Sequence, residues 1–306
     1  MTKKCLFFID DVIWVFRDLA RKKPASLFAD PFLSVMKSAN EKFGIKTQLN
    51  VFYSTDSYYG NDYFDLSEMP DIYKEEFINN SSWFKLAFHS EKEFPDYPYL
   101  NASYEQVNED FLKIEKEIGR FAGAECFTKA IVPHWYTVSY EGCRALYDRG
   151  VRLMSGTCGK KSQDDSLLSS LSHKHAQRLL CNRKPESGVF SKNGVTSLCG
   201  YNHTEDVEAY ENTMKNLKVI KDEKTGLAFK CICNGVLLNT ESADSLKKKL
   251  SRMIEEEYEY IGVGNHEQYF HKDYFAYQPD YTEKIMVAAE MLKAGGYECI
   301  FLEDII

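Results

Sequence analysis

The chain has 306 residues, 44% of them apolar, and a formal net charge of -8. That size supports a large core, in one barrel with an insertion or in two modest domains. The acidic balance excludes a surface built to neutralise phosphates, so no nucleic-acid partner is expected, and no apolar run reaches the roughly 18 residues that would imply a membrane span.

In chain order, the first predicted strand covers Cys5 to Ile9 and runs straight into Asp10 and Asp11. Before it, Met1 to Cys5 offers two lysines but no secretory apolar core or small-residue cleavage site, and the nine scattered cysteines fit reduced thiols, so the chain reads as soluble and cytoplasmic. A buried carboxylate must be paired, hydrogen-bonded or metal-bound. Two in succession after a strand therefore need a purpose. The plain reading is an N-cap for a helix through Trp14 to Leu19. The chemical one follows from strand alternation, which sends the two side chains in different directions: one to hold a metal, the other to take a proton from water.

Strands over Gln48 to Tyr53 and Lys85 to Phe88 come next, the latter ending in His89-Ser90-Glu91-Lys92-Glu93. If the chain turns helically there, His89 and Glu93 share a face, and imidazole plus carboxylate suits zinc or a similar first-row ion. Ser103 to Gln106 is a capping box, followed by Val107, Phe111, Ile114, Ile118 and Phe121 at helical spacing. The strand Thr128 to Pro133 then stops at His134-Trp135-Tyr136. A helix over Tyr140 to Asp148 and a strand over Val151 to Ser155 follow.

Residues 158–240 break this rhythm and are expected to form an insertion near the barrel mouth, with antiparallel strands suggested by the alternation of Leu227 to Val236. Cys231 and Cys233 have no second pair at zinc-site spacing and read as packing residues. A helix over Ser242 to Glu257, a strand over Tyr258 to Val263 ending in Gly264-Asn265-His266-Glu267, a helix over Asp280 to Lys293 and a strand over Glu298 to Leu302 complete the chain. Strands alternating with helices predict a parallel sheet, and seven such units curl into a single (β/α) barrel across residues 1–306, an open doubly wound sheet being the alternative. Barrels of this kind gather reactive side chains at the carboxyl ends of their strands. His89, His134 and His266, three of only seven histidines, all fall there and point to one shared site, whereas His173, His175, His203 and His271 have no comparable setting.

The order of these motifs resembles the polysaccharide deacetylase family, metal-dependent carbohydrate esterases with a distorted (β/α)7 barrel. Phe8-Ile9-Asp10-Asp11-Val12 resembles the family's T-F-D-D-G motif, implying Asp10 as catalytic base and Asp11 as metal ligand. His89-Ser90-Glu91-Lys92-Glu93 matches the first half of H-[ST]-x-x-H, with Glu93 where a second histidine is expected, so the implied ligand set is Asp11, His89 and Glu93. The family's R-x-P-x-G is reduced to Ile131-Val132-Pro133-His134-Trp135, without the arginine that orients the base; His134 takes over part of that role or contacts the sugar, with Trp135 beside it. Val263 to His266 resembles L-x-H, implying His266 as general acid, with Glu267 orienting it or binding substrate. The resemblance covers residues 5–157 and 255–306. It implies a divalent ion, zinc first and cobalt, nickel or manganese as alternatives, and removal of an acetyl group from an N- or O-acetylated carbohydrate or small sugar conjugate. Two rivals stand beside it: a glycoside hydrolase pairing Asp10 or Asp11 with Glu93 or Glu267, and a non-catalytic carbohydrate-binding relative.

Overall fold

A computed structural model describes residues 3–55, 63–95, 97–155, 190–191, 194–195, 201, 203–204, 209, 212–232 and 236–306. Its strands are β1 (Lys4–Val12), β2 (Thr47–Phe52), β3 (Phe84–Ser90), β4 (Phe127–Thr128), β5 (Ala130–Ile131), β6 (Leu153–Ser155), β7 (Phe190–Ser191), β8 (Gly194–Val195), β9 (Ile220–Lys221), β10 (Ala228–Lys230), β11 (Val236–Leu237), β12 (Tyr260–His266) and β13 (Glu298–Cys299). The helices are α1 (Trp14–Lys22), α2 (Pro31–Phe43), α3 (Lys74–Asn80), α4 (Tyr104–Phe121), α5 (Tyr140–Asp148), α6 (Ala243–Glu255) and α7 (Tyr281–Ala294).

The fold is α/β with a mostly parallel sheet. One path runs β11-β12-β1-β2-β3-β4, with β13 pairing the base of β1, and a second runs β5-β6-β10-β9. Every pairing on these two paths is parallel except that of β9 with β10. Only Lys129 separates β4, an edge of the first path, from β5, an edge of the second, and a short segment leads from β10, beside the second path's other edge, to β11 at the far edge of the first. A ring closed by hydrogen bonds alone is not seen among the described residues.

Side-chain alternation along the strands sorts two cores. Cys5, Phe7 and Ile9 of β1, Leu49 and Val51 of β2, Phe84, Leu86 and Phe88 of β3, and Ile261 and Val263 of β12 pack outward with the apolar faces of the helices. Leu6 and Phe8 of β1 instead meet Ala130, Leu153, Ala228, Ile232 and Tyr260 in a separate interior cluster closed by Ile300 and Leu302. Strands from both paths thus fill one interior, as barrel-like packing requires. Gly262 is needed in this crowded space: a Cβ there would lie 1.7 Å from the Ile232 carbonyl oxygen.

Several elements follow directly from local signals. Ser103 Oγ accepts the Gln106 N–H at 3.2 Å, fixing the start of α4 as the capping box predicts. Helix α2, which periodicity passed over, has Asp30 capping the Phe32 and Leu33 amides, Pro31 in its first turn and Gly44 at φ 72° after its end. One expectation is extended and one corrected. The stretch Leu227 to Val236 holds β10, which pairs antiparallel with β9 as its alternation suggests and also runs parallel to β6. The final strand is confined to Glu298–Cys299; Ile300 and Leu302 then turn inward and plug the interior. Residues 156–189, including His173 and His175, lie outside the described residues, as does Cys233. Among the described residues no helix is long and apolar enough to cross a membrane.

Candidate metal centre

The carboxyl end of β1 does not keep the alternation that its sequence suggests. Ile9 pairs with Leu49 and Val12 with Val51, so β1 spends one residue more than β2 over this interval. That is a β-bulge, and Asp11 sits at its turn with φ 61°. Ile9 and Val12, three residues apart, consequently face the same outer core, and both aspartates fall in the inward interval. A second register shift lies on β3, where Val51 pairs with Phe88 and Phe52 with Ser90, leaving His89 as the extra residue. Trp135 and Tyr136 follow His134 at φ 59° each. Such left-handed backbone at non-glycine residues costs about 1–3 kcal/mol per position and concentrates at functional sites.

These irregularities bring Asp11, His89 and His134, all buried, into one group. Asp11 Oδ1 lies 3.1 Å from His89 Nε2 and 3.2 Å from His134 Nδ1, and the two ring nitrogens are 3.2 Å apart. The second nitrogen of each ring fixes the tautomer. His89 Nδ1 contacts the Val132 carbonyl oxygen, and His134 Nε2 contacts the Glu93 carbonyl oxygen at 3.1 Å. A carbonyl only accepts, so both outer nitrogens carry hydrogen, and in the neutral rings both inner nitrogens present lone pairs. Two imidazole lone pairs and a carboxylate oxygen facing one point repel unless a cation lies between them. A divalent ion held by nitrogen and oxygen ligands at about 2.0–2.2 Å sets its neighbouring donors about 3.0–3.5 Å apart, so the observed triangle fits such an ion. Phe52 packs against both imidazoles, with ring centroids at 5.2 and 5.0 Å, and holds them in place.

Around this triangle stand the two groups expected to move protons. Asp10 Oδ1 accepts a 2.6 Å hydrogen bond from Asn50 Nδ2, whose own oxygen accepts from Gln48 Nε2 at 2.9 Å. Burial pushes the Asp10 carboxyl up to about 7, with the Asp11 charge adding to the rise and His89 and Asn50 opposing it. Burial acts on Asp11 in the same sense, but His134, His89 and His266 outweigh it and hold that carboxyl well below the usual range. His266 Nε2 stands 3.9 Å from Asp11 Oδ2, while its Nδ1 is held by Asn239 Oδ1 at 3.0 Å. A small pocket beside Asp11 is lined by Ile13, Trp14, Phe52, Ser54, Glu93 and Gln268.

Asp10, Asp11, His89, His134 and His266 therefore converge, whereas three expected roles change. Glu93 does not join the donor group. Residues 91–95 bend without forming a helix, so the four-residue spacing from His89 places nothing on a common face, and the Glu93 carboxylate accepts from Gln268 Nε2 at 2.9 Å instead. His134 stands in the donor group in its place, and at 5% exposure it offers little surface to a sugar. Glu267 is fully buried, accepting the Ile13, Trp14 and Val15 amides at 2.7, 2.9 and 2.6 Å, so it caps α1 and is neither a sugar contact nor the partner of His266. The cap that sequence assigned to the aspartates thus comes from the other end of the chain. Trp135 is half-buried against Tyr97, with ring centroids at 4.7 Å. Asn50, Asn239, Phe52 and Gln268 had no motif to mark them; only the inward position of Asn50, two residues from Gln48 on β2, leaves a trace in the sequence.

No family model and no curated protein matches the chain. Among solved structures, the chain is similar to the carbohydrate deacetylase Agd3, with 11% identity, a TM-score of 0.47 and coverage of 99% of this chain and 53% of that one. It is also similar to a family 4 acetyl xylan esterase from Clostridium thermocellum in complex with a cobalt ion, with 11% identity, a TM-score of 0.40 and coverage of 99% and 90%. A 4-alpha-glucanotransferase from Thermococcus litoralis gives 10% identity, a TM-score of 0.47 and coverage of 100% of this chain and 40% of that one. None of these three reaches a TM-score of 0.5.

Proposed function

We propose that the chain is a metal-dependent hydrolase that removes an acetyl group from an N- or O-acetylated carbohydrate. The observation that carries this reading is the triangle of Asp11 Oδ1, His89 Nε2 and His134 Nδ1, with both tautomers set by backbone carbonyls. These three residues would hold the divalent ion, zinc first by donor type. When bound, the ion supplies Lewis-acid polarisation of the acyl carbonyl and favours deprotonation of water. Asp10, fixed by Asn50, is the base that takes the proton of the attacking water. His266, oriented by Asn239 and with 28% of its side chain exposed, returns a proton to the departing amine or alkoxide and recovers it from solvent. Ile13, Trp14 and Phe52 give the pocket an apolar wall suited to a small acyl group, and Ser54, Glu93 and Gln268 give it polar atoms for the sugar.

The test uses the purified chain, its chelated form and the His89→Ala variant on acetylated sugars. Release of acetate by the native protein alone, restored to the chelated sample by added metal, is the expected result. Equal hydrolysis by native and chelated samples contradicts the mechanism, and cleavage of a glycosidic bond without metal favours the carboxylate-pair alternative.

A further inference from the structure

At the amino end of β1, away from the metal centre, two thiols meet. β13 runs parallel beside β1 in a register that pairs Lys4 with Glu298 and Cys5 with Cys299. Side chains do touch across this register, because the Lys4 ammonium pairs with the Glu298 carboxylate. The cysteine pair lies on the other face of the two strands, in the outer core, with Cys5 fully buried and Cys299 6% exposed. No other register pair of the described strands joins two cysteines.

The hydrogens of this pair are ordered. Cys299 Sγ donates to the Lys46 carbonyl oxygen at 3.3 Å, which leaves its lone pairs to accept from the Cys5 S–H. That hydrogen bond and burial push the Cys5 thiol well up, so Cys5 rests as the neutral thiol. Neighbouring strands stand about 4.8 Å apart, inside the Cα separation of about 4.4–6.8 Å that a disulfide spans. Access follows from the shortness of β13. Its two residues are tied to β1 by the Glu298 N–H donating to the Lys3 carbonyl and the Ile300 N–H donating to the Cys5 carbonyl, both at 2.9 Å. A local opening that breaks these bonds carries Cys299 to solvent while Cys5 stays in the core.

We propose that Cys5 and Cys299 form a redox-active dithiol, which a small disulfide such as oxidised glutathione converts into a bridge fastening β13 to β1. The Cys299 thiolate attacks one sulfur of the oxidant, forming a mixed disulfide and releasing one glutathione thiolate. Cys5 then loses its proton and attacks the Cys299 sulfur, so that the protein disulfide forms and the second glutathione leaves. Two S–H bonds are exchanged for one S–S bond, the two protons pass to the departing thiolates, and the two electrons reduce the oxidant. The bridge closes nearly the whole chain into one loop and fixes the strand that leads into Ile300 and Leu302 of the interior cluster. It is independent of the reaction at the metal centre.

The experiment incubates the full native chain with oxidised glutathione, digests it with trypsin without reduction and maps the peptides by mass spectrometry. The melting midpoint is read before oxidation, after it, and after dithiothreitol. A species joining residues 5–17 to residues 294–306, lighter by two hydrogens than the separate peptides, is expected. The midpoint should rise by about 3–9 °C and return on reduction. Cys5→Ala, which lacks the resolving thiol, should stop with glutathione on Cys299, and Cys299→Ser should lose the midpoint shift. Both thiols remaining free, glutathione held on Cys299 of the native chain without the link, or a link that leaves the midpoint unchanged or lowers it overturns the proposal. So does a midpoint shift that survives in Cys299→Ser, which assigns it to other cysteines. The native chain alone supplies the link and its reversal, whether or not a variant folds.

Discussion

The two ends of the same strands obey different rules. Toward their amino ends, β1, β6, β10 and β12 alternate regularly and fill the interior with Leu6, Phe8, Leu153, Ala228 and Tyr260. At their carboxyl ends, β1 bulges at Asp10 and Asp11, β3 bulges at His89, and the chain after β5 turns through two left-handed residues behind His134. Regular pleating produces an apolar plug; the irregular end crowds two carboxylates and three imidazoles around one point. The difference teaches that a repetitive scaffold supplies the stability that a strained, electrostatically unfavourable site consumes.

This contrast can be broken from the stable end first. Phe8→Ala should cost about 3–5 kcal/mol in denaturant unfolding, because the interior cluster around it cannot collapse into the space, while metal affinity of the folded fraction stays unchanged. A smaller loss is expected from Glu267→Ala, which leaves the Ile13, Trp14 and Val15 amides without their carboxylate: about 2–4 kcal/mol by the same assay. Glu267→Gln should recover part of it.

The carboxyl-end loops can be probed through Asp110 of α4, which accepts from the Tyr99 hydroxyl at 3.2 Å, while that oxygen accepts the Glu91 amide at 3.1 Å. Burial, reinforced by the Glu91 charge, pushes the Asp110 carboxyl up to about 6. A raised carboxyl contributes stability that is full below the unfolded value near 3.8 and is lost as pH rises through about 6. Asp110→Asn should therefore be about 1–2 kcal/mol more stable than the native chain at pH 8 and lose that advantage by pH 4. An advantage independent of pH would show that charge burial is not the cause. The smallest effect belongs to Asn239→Ala, expected to slow turnover about five- to tenfold with metal content unchanged, since it orients His266 without touching the donors.

Much of the regular end was legible in sequence. Apolar runs and caps located β1, β2, β3, β6, β12, α4, α5, α6 and α7, because alternation and helical spacing are local properties. The strand expected over Thr128 to Pro133 is split at Lys129, and β10 and β11 lay hidden in the segment read as an insertion, since their pairing partners are remote. At the site, Asp10, Asp11, His89, His134 and His266 were visible as polar ends of apolar runs. Their division of labour was not. A bulge moves Asp11 to the same side as Asp10, a bend replaces the helical turn that would have aligned Glu93 with His89, and Glu267 caps a helix more than 250 residues earlier. Each depends on backbone geometry that residue spacing alone does not encode.

The central claim is that His134, and not Glu93, completes the donor set with Asp11 and His89. Zinc binding by equilibrium dialysis to the native chain, His134→Ala and Glu93→Gln tests it directly, because Glu93 meets His134 Nε2 through its backbone carbonyl and the Gln variant keeps that contact. One ion per native chain, affinity reduced at least about 100-fold in His134→Ala and within about threefold of native in Glu93→Gln is the predicted pattern. Retention of the ion by His134→Ala with its loss from Glu93→Gln would contradict the account.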